Sequence, residues 1–272
     1  MKIINLIEDT NCGNGCVSEH GLCFYIETDN HKLLVDTGAS ENFIRNAEKL
    51  GVDLSGVDTV ILSHGHYDHT GGVMSFAQLN KNAKIYIQST ALGDYYNVKD
   101  EAPRYIGVDK NIADLPNLIK VQGNLKIDDE LFIFTNIKGK NPIPDGNKTL
   151  MRKQGEGFVQ DDFCHEQCLV ILVDGKKYLL SGCAHNGILN ILETYNELFN
   201  SDPDVVISGF HLMKKEGHTE NDILLMKQIA EALSKTHTIY YTCHCTTEYP
   251  YEVMKQIMGE KLHWVYSGNM IM

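Results

Sequence analysis

Ser63-His64-Gly65-His66-Tyr67-Asp68-His69-Thr70-Gly71-Gly72 is the stretch that decides how this chain is interpreted. It places three histidines and a carboxylate within six residues, directly after the apolar run Val60-Ile61-Leu62, which is typical of a buried strand. Packing does not explain imidazoles and a carboxylate crowded at a strand end, whereas divalent metals take these groups as ligands. The stretch therefore predicts a metal site where a strand ends.

The spacing of these side chains predicts two metal positions. His64 and His66 alternate, so in extended backbone their side chains can face the same way. Asp68 and His69 follow where the chain turns, and they can face a second point. One ion held by His64 and His66 beside another held by Asp68 and His69 is the natural arrangement. Two ions about 3.5–4 Å apart suit hydrolysis or phosphoryl chemistry.

The same residues resemble the H-x-H-x-D-H signature of the metallo-β-lactamase superfamily. The resemblance implies an α/β fold of the αββα sandwich type, with two mixed β-sheets packed together and helices on the outer faces. We expect one domain over residues 1–272, because nothing in the composition marks a linker.

The order of the predicted elements agrees with that architecture. Residues 22–36 indicate a hairpin and 59–88 a strand-helix-strand unit; residues 168–181 indicate a second hairpin, and strands alternate with helices from there to 266. The stretch from 138 to 167 is rich in Gly, Pro, Lys and Asp and shows little periodicity. We expect it to be an irregular active-site loop, since long structureless segments in compact domains are usually functional or disordered.

The composition limits which binding partners and which cellular location we expect for this chain. A net charge of −12 repels nucleic acid, so we expect none as a partner. No apolar run approaches the ~20 residues needed to span a membrane. An acidic residue follows the start too early for a signal peptide, so we expect a cytoplasmic protein that contacts no membrane. Its eight cysteines are then expected to be reduced thiols. The oligomeric state has no signal in the sequence.

Further ligands are expected at other strand ends. His185, in Ser181-Gly182-Cys183-Ala184-His185, is the best third ligand for the His64 and His66 metal. His244 lies in an equivalent place after a later strand and is assigned to the second metal. His211 follows a third such strand, as either a ligand or a group that exchanges protons with substrate.

Other polar residues near these motifs leave alternatives open. Asp36 either hydrogen-bonds a ligand imidazole or only forms a turn before Gly38. His165 could be recruited from the 138–167 stretch, but we expect it to be a mobile surface residue. The remaining histidines considered, which are expected in turns or on the surface, are His31, His218, His237 and His263. Among the cysteines, only Cys183 and the Cys243/Cys245 pair are expected to matter for the site.

The resemblance extends to a subgroup through motifs spread over nearly the whole chain. These are Glu19-His20-Gly21-Leu22, Leu34-Val35-Asp36-Thr37-Gly38, Glu166-Gln167, Gly182-Cys183-Ala184-His185, Gly209-Phe210-His211-Leu212 and Cys243-His244-Cys245-Thr246. The subgroup comprises proteins related to a dihydropterin ribofuranosyl-aminobenzene phosphate synthase. Many members of the superfamily carry a bridging Asp where Ser181-Gly182-Cys183 stands here. Either Cys183 or His185 replaces that Asp, or the second metal site is weaker.

These observations predict a dinuclear metal-dependent hydrolase that uses a metal-bound hydroxide, with Asp68 and His211 as catalytic residues. Zinc suits the histidine-rich site best, while iron and manganese are also compatible. A small phosphorylated or other anionic ester is the expected substrate, and Arg152 in the 138–167 stretch is the best candidate to grip a phosphate. The alternatives are a dihydropterin-type synthase acting on a phosphoribosyl substrate and a di-iron redox protein of the same fold. Members of the redox group usually carry Glu where His66 stands.

Overall fold

The secondary structure is described here for residues 1–99 and 102–272 of a computed structural model. The strands are β1 Lys2–Ile7, β2 Cys23–Glu27, β3 Lys32–Val35, β4 Thr59–Leu62, β5 Lys84–Gln88, β6 Tyr95–Lys99, β7 Ala102–Tyr105, β8 Leu118–Val121, β9 Leu125–Lys126, β10 Leu131–Phe134, β11 Leu150–Gln154, β12 Gly157–Gln160, β13 Cys168–Val173, β14 Lys176–Leu180, β15 Val205–Ile207, β16 Ile239–Thr242 and β17 Leu262–Trp264. The α-helices are α1 Asn42–Lys49, α2 Tyr67–Thr70, α3 Val73–Leu79, α4 Ile188–Phe199, α5 Glu220–Ser234 and α6 Glu248–Met258.

Two mixed sheets form the centre of the molecule. The first has the strand order β1-β2-β3-β4-β5-β8, antiparallel from β1 to β3 and parallel from β3 to β8. The second has the order β17-β16-β15-β14-β13-β10-β9 and is parallel from β14 to β17. Parallel strands are buried on both faces, which is why β4 is buried throughout and ends in the apolar run Val60-Ile61-Leu62, and why β15 is apolar throughout.

Three apolar layers hold the sheets and helices together. Phe24 and Ile61 of the first sheet meet Leu169 and Ile207 of the second in the central layer. Helices α1 and α3 cover the outer face of the first sheet, while α4, α5 and α6 cover that of the second. The prediction of an αββα sandwich is confirmed. Helix α5 begins at a capping box, in which the side chains of Thr219 and Asp222 each accept a backbone N–H of the other residue.

The stretch from 138 to 167 differs from the irregular loop that the sequence predicts. It contains a 3₁₀ helix at Asp145–Thr149 and the β11–β12 hairpin, and β11 pairs with β6 to form a third, four-stranded antiparallel sheet in the order β12-β11-β6-β7. These strands carry many half-exposed polar residues, so their periodicity is weak. Their pairing also joins segments more than fifty residues apart, which no local pattern reveals.

The strand ends on one side of the sandwich carry the polar groups of the predicted site. Asp36 follows β3, His64 follows β4, Cys183 follows β14, His211 follows β15 and His244 follows β16. The carboxyl ends of parallel strands meet at the same edge of a sheet, so these side chains converge. In the part of the chain described here, every helix is too short or too polar to cross a membrane.

Candidate metal centre

Three of the predicted ligands, His64, His66 and His185, lie side by side. Their ring centroids are separated by 4.6 to 4.9 Å in each pairwise combination. The Nε2 atom of each ring is buried and has no hydrogen-bond partner among the described residues. A buried polar atom without a partner is costly, and a metal ion is the partner that neutral imidazoles most commonly take. The three rings therefore fit a metal position.

Hydrogen bonds fix the orientation of two of these rings. Ser63 Oγ donates to Asp36 Oδ2 at 2.7 Å and lies 2.9 Å from His64 Nδ1, whose N–H it accepts. Asn147 Oδ1 accepts from His185 Nδ1 at 2.9 Å, while its amide donates to the His185 carbonyl at 2.7 Å. A proton on Nδ1 leaves Nε2 with its lone pair, which is the form that binds metal.

Electrostatics also favour the neutral form of these rings. Burial, together with the neighbouring imidazoles, holds the pKa of His64, His66 and His185 well below the usual range. Phe163 adds to the burial of His185, because the two rings stack in parallel with centroids 4.6 Å apart. Neutral imidazoles can coordinate a metal without first losing a proton.

Asp68, His69 and His244 form a second group beside the first. Their donor atoms and the Cys183 thiol all lie within 4.8 Å of one another. The Nε2 atoms of His69 and His244 are 3.2 Å apart, and Asp68 Oδ2 is 3.6 and 3.4 Å from them. A carboxylate facing two nitrogens at these distances favours a cation between them. The predicted ligands of the second metal are thus brought together.

The outer nitrogens of this second group are held by carboxylates. Asp36 Oδ2 accepts from His69 Nδ1 at 2.7 Å, so of the two alternatives for Asp36 the structure shows the hydrogen bond to an imidazole, that of the predicted ligand His69. His244 Nδ1 bonds Asp9, which also accepts from His20 Nδ1 at 2.8 Å. Although burial alone lowers it, hydrogen bonds with Asp68 and Asp9 raise the pKa of His244 well above its usual value. The negative charge around His244 thus stabilises either a proton or a metal ion.

Asp9 and His20 are site residues that the sequence reasoning missed. Asp9 follows the carboxyl end of β1, the kind of position that identified the other candidates. His20 Nε2 lies 3.6 Å from Asp68 Oδ2, at the rim of the second group. The sequence does contain a pattern that indicates Asp9, because the acidic pair Glu8-Asp9 directly follows an apolar strand.

Cys183 lies between the two groups. Its thiol is 3.1 Å from His69 Nε2 and is also within 4.8 Å of donor atoms of His64 and His185. The structure thus places Cys183 where a bridging carboxylate was expected. The Cys243/Cys245 pair is split, since Cys243 packs in the apolar layer between the sheets whereas Cys245 lies near Cys183.

His211, the other predicted catalytic residue, is buried beside the first group. Its ring centroid is 4.2 Å from that of His185, and it groups with Cys183 and Cys245. His211 and His244 both have positive φ values of 48° and 53°. Non-glycine residues in this region of the backbone are strained and cluster at functional sites.

The expectation that His165 is a mobile surface residue is wrong. Its side chain is fully buried, with Nε2 donating to Asp161 Oδ2 at 3.0 Å and Nδ1 accepting the Gly65 N–H at 3.0 Å. The ring therefore clamps the backbone between His64 and His66, and both of its nitrogens are engaged. Its burial comes from contacts with Tyr95 and other residues distant in sequence, which a polar loop composition does not reveal.

Glu166 holds the backbone that carries His185. Its two carboxylate oxygens accept the N–H groups of His185 and Asn186 at 2.7 and 3.0 Å. Burial raises the pKa of Glu166, which the hydrogen bonds from Asn186 and His185 oppose. The 138–167 stretch thus contributes Asn147, His165 and Glu166 to the support of the predicted ligands.

Comparison with known proteins agrees with this geometry. Residues 19–218 match the family model described as the metallo-beta-lactamase superfamily. The crystal structure of Tm1679, described as a metal-dependent hydrolase of the beta-lactamase superfamily, superposes with a TM-score of 0.83 and 30% sequence identity, covering 100% of this chain and 98% of that one.

Two relatives from Methanocaldococcus jannaschii also match over most of their length. An uncharacterised protein is 26% identical over 90% of each chain. A 7,8-dihydropterin-6-methyl-4-(beta-D-ribofuranosyl)-aminobenzene-5'-phosphate synthase is 24% identical over 100% of this chain and 96% of its own length.

Proposed function

Because the chain belongs to the metallo-β-lactamase superfamily, we propose that it is a hydrolase that depends on two divalent metal ions, most simply Zn²⁺. The observation that carries the proposal is the pair of adjoining groups, His64, His66 and His185 on one side and Asp68, His69 and His244 on the other. The first group presents three buried, unpartnered Nε2 atoms within the described chain. Imidazole, carboxylate and thiol donors together suit zinc.

The residues around these groups have distinct roles in the proposed reaction. When bound, divalent ions lower the pKa of a coordinated water and polarise the oxygen under attack. Asp68 belongs to the second group, and its Oδ2 can accept a proton or orient the attacking water. The ring of His211 lies beside that of His185, with centroids 4.2 Å apart, and His211 is proposed to exchange a proton with the substrate or the leaving group. Cys183, between the groups, takes the place of a bridging ligand.

The proposed substrate is a small phosphorylated or other anionic ester. Arg152 of β11 lies directly opposite Tyr95 of β6, and the ring of Tyr95 contacts those of His165 and His66. Directly paired residues share a sheet face, so Arg152 is on the face nearer the imidazoles. Its guanidinium contacts the Asp162 carboxylate at 3.5 Å, and its Nε is buried without a hydrogen-bond partner in the described chain. The guanidinium is thus available to an anion.

A second cation lies on the same face of this sheet. Arg104 of β7 pairs with Asn97, which is two residues along β6 from Tyr95. Its guanidinium is 5.9 Å from the ring centroid of Tyr67, between His66 and Asp68 in the sequence. Two arginines above a metal centre suit a substrate with a phosphate group, since guanidinium binds phosphate through paired hydrogen bonds.

A synthase is the second candidate. The relative named as an aminobenzene-5'-phosphate synthase covers the whole chain, and the product in its name carries a phosphate. The same metal groups and arginines would serve either reaction, because one fold and one site can host several chemistries. Incubation with a 6-hydroxymethyl-dihydropterin that carries a diphosphate leaving group on its methyl carbon and with a ribofuranosyl-aminobenzene phosphate, followed by mass spectrometry, distinguishes joining, which releases the diphosphate, from hydrolysis.

The metal-dependent hydrolase is tested by elemental analysis combined with turnover of bis(4-nitrophenyl) phosphate. We expect His185→Ala and His244→Ala each to lose one ion and to reduce kcat/KM by more than about 100-fold, since each ion supplies several kcal/mol of charge stabilisation. His237→Ala is the matched control, because its exposed ring lies near Asp202 and Asp204. Full metal content and activity in the His185 or His244 variant would remove that residue from the ligand set.

The substrate proposal is tested with Arg152→Ala. KM for the dianionic 4-nitrophenyl phosphate should rise about 10- to 100-fold, the worth of a charge-assisted hydrogen bond, while metal content and KM for neutral 4-nitrophenyl acetate stay unchanged. Lys153→Ala is the control, since the next residue of the same strand faces the opposite side. An equal effect of both variants, or none, would show that the anion is recognised elsewhere.

A further inference from the structure

Cys183, His211 and Cys245 form a third group of donors beside the two already described. Their ligand atoms lie within 4.8 Å of one another, and all three side chains are buried. The three residues follow β14, β15 and β16, which are neighbours in the second sheet. Two cysteine thiolates, which are soft donors, together with an imidazole form a set that binds Zn²⁺ and heavier thiophilic ions.

One atom of this group lacks a partner. The residue His211 is about nine-tenths buried, and its Nδ1 atom makes no hydrogen bond to any described residue. The Cys245 thiol contacts the carbonyl oxygen of Cys183 at 3.7 Å, and its side-chain hydrogen bonds are with Cys183 and His211, the other members of the group. Buried polar atoms in native proteins are normally satisfied, so this group is built for an additional partner.

The backbone around the group is arranged to bring the thiol of Cys245 inward. A Cβ atom at Gly209 would collide with Cys245 Sγ, so glycine there permits the approach. The Phe210 N–H donates to Thr246 Oγ1 at 2.8 Å, and the Met213 N–H donates to the Cys245 carbonyl at 3.0 Å. These bonds join the segment after β15 to the segment after β16, so His211 and Cys245 are held together before any ion binds.

We propose that Cys183, His211 and Cys245 form a third metal site, which takes a thiophilic divalent ion such as Zn²⁺ or Cd²⁺. Three protein ligands leave the fourth tetrahedral position for water. The site shares Cys183 with the proposed two-ion centre and takes His211, whose proposed proton exchange then applies only while no third ion is bound. The ion count that tests the site rests on the proposed function, because two of the three expected ions belong to that centre. Thiolates bridge zinc or cadmium ions readily because sulfur is large and polarisable, so one cysteine can serve neighbouring ions.

Native mass spectrometry of the chelator-treated full chain, titrated with Cd²⁺, counts the ions directly. The wild type should hold three Cd²⁺ ions, and Cys245→Ala should hold two. Cys243→Ala is the matched control, because Cys243 lies two residues away but packs in the central apolar layer, and it should hold three. Titration with Mn²⁺, which prefers oxygen ligands, should give no third ion in the wild type.

Several outcomes would overturn the third site. Two Cd²⁺ ions in the wild type would do so, as would three in Cys245→Ala or an equal loss in both cysteine variants. If Cys245→Ala fails to fold, the wild-type counts with Cd²⁺ and Mn²⁺ still decide. Turnover of bis(4-nitrophenyl) phosphate by the zinc-loaded wild type separates the two proposals: activity with only two ions bound refutes the third site alone, whereas three bound ions without activity refutes the proposed function alone.

Discussion

Replacing Asp36 by Asn tests how the structure prepares its histidines for metal. Asp36 is fully buried and accepts from Ser63 N, Ser63 Oγ and His69 Nδ1, each at 2.7 Å. Asparagine has the same shape and tolerates the φ of 61° at this position, so the backbone should be retained. One oxygen becomes an amide nitrogen, however, which only donates. At the Oδ2 position it can accept from neither Ser63 Oγ nor His69 Nδ1, and at the Oδ1 position it faces the Ser63 N–H donor.

The substitution should mainly change which ring nitrogen of His69 carries the proton. With an amide opposite Nδ1, the ring gains by moving its proton to Nε2, where the metal would bind. Loss of such a supporting carboxylate typically lowers metal affinity 10- to 100-fold, which is about 1.4 to 2.7 kcal/mol at 1.36 kcal/mol per tenfold. We expect this loss for the ion assigned to Asp68, His69 and His244, and a smaller effect through Ser63 on the ion assigned to His64.

Competition for zinc with a chromogenic chelator measures the zinc affinity of each of the two proposed metal positions. Asp58→Asn is the control, because Asp58 bonds His31 Nδ1 at 3.0 Å in the same carboxylate–imidazole arrangement but away from the site. Unchanged affinity for both ions in Asp36→Asn, with a folded protein by circular dichroism, would refute the idea that Asp36 sets the tautomer of His69.

Two other substitutions test the supports of the site, at Gly65 and at Glu8, whose Oε2 accepts the His244 N–H at 3.0 Å. Burial raises the pKa of Glu8 from 4.5 to about 7, so stability conferred by its protonated form is complete below pH 4.5 and is lost as pH rises through 7, a loss of about 3 kcal/mol. Denaturant titrations across that range should show a flatter pH dependence for Glu8→Gln than for the wild type, and identical slopes would contradict the raised pKa. Gly65→Ala would place a Cβ 2.5 Å from the Ala91 carbonyl oxygen, so we expect a shifted backbone between His64 and His66 and loss of the first ion by elemental analysis. Gly157→Ala, in an open hairpin, should leave metal content unchanged.

Local patterns predicted most of the fold correctly. Continuous apolar runs and 3.6-residue periodicity report burial directly, which is why the second hairpin predicted over 168–181 is found as β13 and β14. The third sheet was not predicted, because β6 and β11 bury little and depend on each other across a long sequence separation. Pairing of that kind is a property of the folded chain, not of any window of sequence.

The candidate site, like the fold, was predicted in part from local sequence and in part was not. The sequence by itself determined its chemical character, since His64, His66, Asp68 and His69 are consecutive or alternate along one short segment. Their donors are grouped by the geometry of a single strand end, so no distant contact is needed to predict them.

Only the tertiary structure decided which groups support those ligands. Asp9 reaches His244 across more than two hundred residues, and Asn147 reaches His185 across 38. The tertiary structure also gives the two cysteines different surroundings, since Cys243 packs in the apolar layer between the sheets and Cys245 lies beside Cys183. The physical reason is that a hydrogen bond depends on the position of both partners, and sheet packing alone brings these strand ends together.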